Sequence, residues 1–231
     1  MKPRISHRKT TALTMLEAMV VVAVLALLVA IFLPALMSHG GRVQLINCVN
    51  NLKQVGLAYR IWAGDHSNKY PMAMSVTNGG TLELMRSPDA WKTYLVMSNE
   101  LSAPIILFCP QDVERRRAAT NFSDDLKNHI SYFIGQDATV DNPNALLSGD
   151  DHFLIKGLPV RPGVIEVTSN TPIVWSSSRH VEKETHFWVF STRTSYGYIG
   201  LGDGSVQAIK DSNLSIQIAQ TGIATNRLAI P

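Results

Sequence analysis

Three carboxylates give the chain its most obvious cation chemistry: Asp150 and Asp151 in "SGDD", and Asp203 in "GDGS". Calcium takes about six to eight oxygen ligands, and such groups can supply several of them. Against calcium, the D-x-D-x-D-G spacing of a dedicated loop is absent. Asp203-Gly204 sits between β-prone residues, and a tight hairpin with a primed turn accounts for it. "SSSRH", from Ser176 to His180, sets hydroxyls beside an imidazole, the raw material of nucleophilic catalysis. No G-x-S-x-G elbow supports that use, so the segment reads as a polar loop after a strand. The seven histidines form no H-E-x-x-H or H-x-x-x-H pair, and no phosphate-cradling or dinucleotide glycine motif occurs. Cys48 and Cys109 lack nearby histidines at zinc-ligand spacing. They read as a disulfide in an oxidising compartment or as two buried thiols; a bridge would stabilise by about 4 kcal/mol in the chain-entropy model. No catalytic centre, cofactor or structural metal is expected.

One further carboxylate stands where it needs a partner. Glu17 lies near the start of "TALTMLEAMVVVAVLALLVAIFLPALMS", and Leu13 to Met37 exceeds the roughly 20 residues that cross a bilayer. A carboxylate in lipid costs on the order of 2 to 3 kcal/mol, so its presence implies a group that pairs with it. Lys2, Arg4, Arg8 and Lys9 precede the run without an acidic companion, and removing those four charges turns the formal +3 into −1. The basic balance therefore belongs to the leader. It keeps the leader cytoplasmic and sends the rest across the membrane. It does not mark a nucleic-acid binder, because no basic run with interleaved aromatics follows. "ERRR", Glu114 to Arg117, reads as a solvated loop or helix face. A cleaved secretory signal is the competing reading of the span. "MSHGGR" is a poor small-residue cleavage site, and the long run with Pro34 favours a retained anchor.

The elements that must position these groups follow from periodicity. The remaining chain is large enough to bury its own core. Leu45, Cys48, Leu52, Val55, Tyr59 and Trp62 recur at steps of three and four, the stripe of an amphipathic helix, with Arg42, Asn50, Lys53 and Arg60 mostly off it. Despite Gly40-Gly41, the expectation is one long helix from membrane into solvent, ended by "GDHSNKYP". Beyond it, "TLELMRSPDAWKTYLVM" reads as broken helix with Ser87 and Pro88 at a helix start. "PIILFCP", "HISYFIG", "TPIVWSSS" and "FWVFSTR" read as short strands. The tail from Asp211 reads as a short helix with an irregular end. The expected fold is α+β: a long N-terminal transmembrane helix packed by its C-terminal half on a small antiparallel β-sheet domain. The division is leader 1–12, span 13–37, helical stalk 38–64 and globular domain 65–231.

This anchor resembles that of the type IV pilin and type II secretion pseudopilin superfamily. Its members carry a basic leader, a cleavage site, and an apolar segment with a glutamate fifth and often a proline twenty-second. With Ala12 ending the leader and Leu13 first in the mature chain, Thr14 falls second, Glu17 fifth and Pro34 twenty-second. The resemblance implies that a prepilin peptidase cuts between Ala12 and Leu13 and methylates the Leu13 amine. It further implies that Glu17 sets register against the terminal amine of a neighbouring subunit. Other pilin or pseudopilin subunits and an inner-membrane assembly platform are the implied partners. The implied location is the bacterial inner membrane, single-pass, with a periplasmic C-terminal domain that can enter a filament. The family's leader usually ends in glycine, and Ala12 departs from that. Some pseudopilins bind calcium in a globular loop, which keeps Asp150, Asp151 and Asp203 as candidates.

"CVNNLKQVGLAYRIWAGDHSNKYP", "LFCPQD", "SYFIGQDA", "LSGDDHF" and "DGSV" are similar to a bacterial group of pilin-like proteins with an H-X9-DG motif. His180 and His186 stand too far before Asp203 for that motif, so no histidine role carries over. The leading expectation is a structural filament subunit, not an enzyme. The alternative is an unassembled, membrane-anchored periplasmic binding module with a pocket rimmed by Trp175 and Trp188. A periplasmic hydrolase would need a convergent polar cluster that the sequence does not display.

Overall fold

The computed structural model describes residues 14–37, 40–115, 117–122, 126–186 and 190–231. The chain divides into two compact units, Met1–Val43 and Gln44–Pro231. In the first, helix α1 (Met15–Met37) is apolar throughout apart from Glu17 in its first turn. Its window Met15–Phe32 is long and apolar enough to cross a membrane, with mean hydropathy 2.8, and none of it is buried within the protein. A helix with no polar stripe finds no stable place at a water-facing surface. Residues 38–39, through which one continuous helix would have to pass, lie outside the described residues.

Helix α2 (Gly40–Asp65) carries the second unit's core on one side. Cys48, Leu52, Val55, Tyr59 and Trp62 are at most 2% exposed, with Leu45 half-buried at the start of the stripe. Two short helices follow, α3 (Lys92–Val96) and α4 (Ser98–Leu101), and later α5 (Asp211–Gln220). "PIILFCP" is not the strand its composition predicts: Pro104–Leu107 forms a 3-10 turn. Pro104 presets its first turn, and prolines at both ends cannot donate to a strand ladder.

Among the described residues, ten strands form two antiparallel sheets. They are β1 (Tyr132–Gly135), β2 (Leu146–Asp150), β3 (Phe153–Ile155), β4 (Leu158–Pro159), β5 (Gly163–Val167), β6 (Ile173–Trp175), β7 (His180–His186), β8 (Phe190–Leu201), β9 (Val206–Lys210) and β10 (Asn226–Ile230). The larger sheet has the order β5-β10-β1-β2-β8-β7, and β9 pairs with the C-terminal half of β8. The smaller has the order β4-β3-β6. The tail does not finish irregularly: β10 inserts between β5 and β1.

Strand alternation separates two cores. Tyr132, Ile134 and Tyr198 belong to the cluster around the α2 stripe, while Phe133, Ile199 and Leu201 belong to a second with Trp175 and the α5 residues Leu214 and Ile218. Trp175 lies flat over Gly197, where a Cβ would come within 2.6 Å of its ring. Hydrogen bonds from Tyr132 Oη to the Cys48 carbonyl and from Asn51 Nδ2 to the Phe108 carbonyl tie α2 to the sheet and to the loop after the 3-10 turn.

The β8–β9 hairpin forms at Asp203-Gly204 as expected, but its turn is not primed. Only Gly204 in the loop has positive φ, at 84°; Gly204 N–H donates to Leu201 O, and Leu201 N–H donates to Ser205 O. This is a three-residue loop closed by a left-handed glycine, the alternative that strand twist also tolerates.

Candidate functional site

At the start of α1, Thr14 and Glu17 close a capping box. Thr14 N–H and Thr14 Oγ1 both donate to Glu17 Oε2, each at 2.8 Å, and Glu17 N–H donates to Thr14 Oγ1 at 3.3 Å. Free N–H groups at a helix start need acceptors, and T-x-x-E supplies two reciprocally. The motif is legible in "TMLE", and sequence reasoning passed over it. Glu17 Oε1 makes no hydrogen bond among the described residues.

The second unit holds a denser polar site, beside the disulfide. Cys48 on α2 and Cys109 in the loop after the 3-10 turn are bonded across 61 residues, their Cα atoms 4.7 Å apart and both fully buried. That loop continues through Gln111, Asp112 and Arg115. Asp112 Oδ1 accepts the Glu114 and Arg115 N–H groups, a local turn that leaves Oδ2 for longer-range partners. Oδ2 accepts Ser131 Oγ at 2.7 Å, Arg179 Nη2 at 2.8 Å and Arg115 Nη1 at 2.9 Å. Asp151, just past β2, receives Arg179 Nη2 on Oδ1 and Arg115 Nη2 on Oδ2, both at 2.6 Å. Arg179 Nη1 donates to the Ser131 carbonyl at 2.9 Å and lies 3.7 Å from Asp150 Oδ1.

Asp150, the last residue of β2, links these ions to His180, the first of β7. Its Oδ2 accepts the Tyr198 N–H at 2.7 Å and stands 3.1 Å from His180 Nε2. His180 Nδ1 is 2.8 Å from Gln111 Oε1, and Nε2 is 3.7 Å from Cys109 Sγ. His152 packs against Trp175 at 5.1 Å and His180 at 5.7 Å between ring centres, with neither ring nitrogen hydrogen-bonded among the described residues.

Electrostatics follow from this enclosure. Burial works against the charged form of Asp150, but His180, with help from His152 and Arg179, overcomes it and holds the carboxyl down at about 2. Asp112 is likewise lowered: burial opposes its charge, and Arg179, Arg115 and Ser131 outweigh it. Asp151 goes the other way, raised by burial despite both arginines. Burial also disfavours charged Arg179, yet the three surrounding carboxylates raise it. His152 is pushed down to about 3, mainly by burial, and is therefore neutral at ordinary pH. A buried ion is tolerated only when paired and hydrogen-bonded. The cluster thus joins the 109–115 loop, the residue before β1, the end of β2 and the start of β7 into one cross-linked body.

Comparison with protein-family models, curated proteins and solved structures gives no match.

The sequence candidates divide sharply. Thr14 and Glu17 meet, and Cys48 bonds Cys109. Pro34 lies within α1, while Ala12, Leu13 and Trp188 fall outside the described residues. Asp150 and Asp151 are neighbours, but they face arginines and a histidine. Asp203 is exposed, near the opposite end of β2 from Asp150, and accepts the Ser205 N–H at 2.8 Å. The three calcium candidates therefore do not converge. "SSSRH" does follow β6 as a loop, yet Arg179 and His180 are buried, and no hydrogen bond joins Ser176 or Ser178 to His180 among the described residues. Arg115 of "ERRR" is largely buried rather than solvated, its side chain 18% exposed. Sequence reasoning missed Asp112, Arg115, Arg179 and His152 as a group, because their partners lie up to 67 residues away, from Asp112 to Arg179.

Proposed function

We propose that the chain is a subunit of a type II secretion pseudopilus or type IV pilus-like filament, freed from its leader between Ala12 and Leu13 by a prepilin peptidase. Glu17 is the observation that carries the reading. It caps its own helix through Oε2, at the position the resemblance assigns to the assembly glutamate, and leaves Oε1 for the terminal amine of a neighbouring subunit. A carboxylate facing an ammonium inside a helix bundle is paired, whereas one facing lipid is not, so a misregistered neighbour is penalised.

Two further features support it. Small residues Ala18, Ala23 and Ala26 line one side of α1 with Val22, allowing close helix approach in an apolar medium. On α2, Ile46, Leu57 and Ile61 are 59%, 56% and 46% exposed on the side away from the core, apolar side chains set among polar Asn50 and Lys53 and available to helix packing between subunits. The unassembled binding module has less support: Trp175, half of its aromatic rim, is 2% exposed in the core.

The test is the intact mass of the membrane-extracted protein co-expressed with a prepilin peptidase, beside Ala12→Gly. The expected mass is that of a chain starting at Leu13 with one methyl group added. A wild type that stays full length while the glycine variant is cut would overturn the filament reading and favour a permanently anchored module.

A further inference from the structure

We propose that the reduced chain binds zinc where the disulfide now sits, through Cys48 Sγ, Cys109 Sγ and His180 Nε2. These atoms all lie within 4.8 Å of one another, and all three residues are buried. Tetrahedral zinc with thiolate and imidazole ligands places ligand atoms about 3.3 to 3.8 Å apart, as its bond lengths dictate. Cys109 Sγ and His180 Nε2 already stand 3.7 Å apart. Breaking the sulfur–sulfur bond frees the third ligand atom to move out to the same spacing.

The surroundings are those of a metal ligand set. His180 Nδ1 lies 2.8 Å from Gln111 Oε1, which fixes the ring with Nε2 between Asp150 Oδ2 at 3.1 Å and Cys109 Sγ at 3.7 Å. Metal-binding histidines are oriented in the same way, by a hydrogen bond from the other ring nitrogen. Asp150 Oδ2, steadied by the Tyr198 N–H at 2.7 Å, offers an oxygen beside Nε2 for a fourth position. Two thiolates with an imidazole select zinc over calcium or magnesium. The ligands come from α2, the 109–115 loop and β7, so no sequence spacing announces them.

A dithiol supplies the chemistry. It passes two electrons and two protons to the Cys48–Cys109 bond, giving two thiols, and closes its own disulfide. Zinc then displaces both thiol protons to solvent, along with any proton on His180 Nε2. The metal holds the loop on α2 as the bridge does, so the same cross-link survives in a reducing environment.

The test uses the full chain in detergent micelles, reduced with a dithiol, freed of it under nitrogen, and titrated with zinc and with cobalt as a spectroscopic probe. A single metal per chain and sulfur-to-cobalt charge-transfer absorption are expected. The paired variant Cys48→Ser/Cys109→Ser should show neither. His180→Ala should weaken zinc strongly. Gln111→Ala, which leaves the ligands in place, should weaken it by about tenfold or more. The proposal is overturned if reduced wild type with native near-ultraviolet circular dichroism takes up no more metal than the paired serine variant. Metal uptake indifferent to both His180 and Gln111 would equally sink it. If reduction unfolds the chain, zinc must restore the native spectrum in wild type and not in His180→Ala; failure to do so counts against it.

Discussion

Glu17 caps its own helix, and the proposed function gives it a second job that a single substitution can separate from the first. Glutamine keeps the geometry of a capping box but carries no charge. Glu17→Gln is therefore expected to insert in the membrane like wild type and to lose filament assembly, scored by sheared-filament yield. Equal assembly by the two would remove charge pairing from the mechanism. His152 makes a second prediction at this scale, for the disulfide-bonded protein. Its ring faces Asp150, Asp112, Arg179, His180 and Trp175, and burial lowers it from 6.5 to about 3. The unfolded chain thus takes up this proton first. Stability from the neutral ring is complete above about 6.5 and is lost as pH falls toward about 3. Asp151, raised by burial, has the opposite sign. Urea midpoints between pH 7 and pH 5 should therefore fall less steeply in His152→Phe than in wild type.

At the scale of elements, the loop after the 3-10 turn is fastened to β2 and β7 by Arg179. Arg179→Met leaves Asp112 and Asp151 buried with one cation between them, and is expected to cost about 3 to 5 kcal/mol in chemical denaturation. A cost below about 1 kcal/mol would mean that the cluster relaxes into solvent. The α2 stripe makes the companion prediction. Leu52 is fully buried and sits where a Cβ on Gly200 of β8 would meet it at 3.6 Å, so Leu52→Ala should cost about 2 to 5 kcal/mol. Leu57→Ala, on the outward side, should leave stability within about 0.5 kcal/mol while reducing assembly.

For the whole molecule, the disulfide spans a sequence separation of 61 between the helix that carries the core and the loop that carries the ions. Removing it with Cys48→Ser/Cys109→Ser should cost about 4 kcal/mol, lowering the thermal midpoint by about 8 to 16 °C. Because the ion cluster and the α2 core share the same fastening, the loss should show as one cooperative transition in calorimetry. A separate early transition of the 109–115 loop would show that the bridge and the cluster act independently.

How much of this was legible depends on the range of the interaction that fixes each feature. The apolar span, the α2 stripe, the hairpin at Asp203-Gly204 and the α+β class depend on neighbours a few residues apart, so the sequence alone determined them. The same locality made the Thr14–Glu17 cap readable in "TMLE". Tertiary structure alone decided whether acidic and basic residues face water or each other. Asp150, Asp151, Arg115 and Arg179 look like surface residues in one dimension, and only the meeting of β2, β7 and the 109–115 loop buries them together. It also decided that β10 fills the gap between β5 and β1, because strand order depends on partners contributed by the whole sheet. Above all it brought His180 to the cysteines. A spacing rule for metal ligands sees one stretch of chain, whereas coordination sees distance in space.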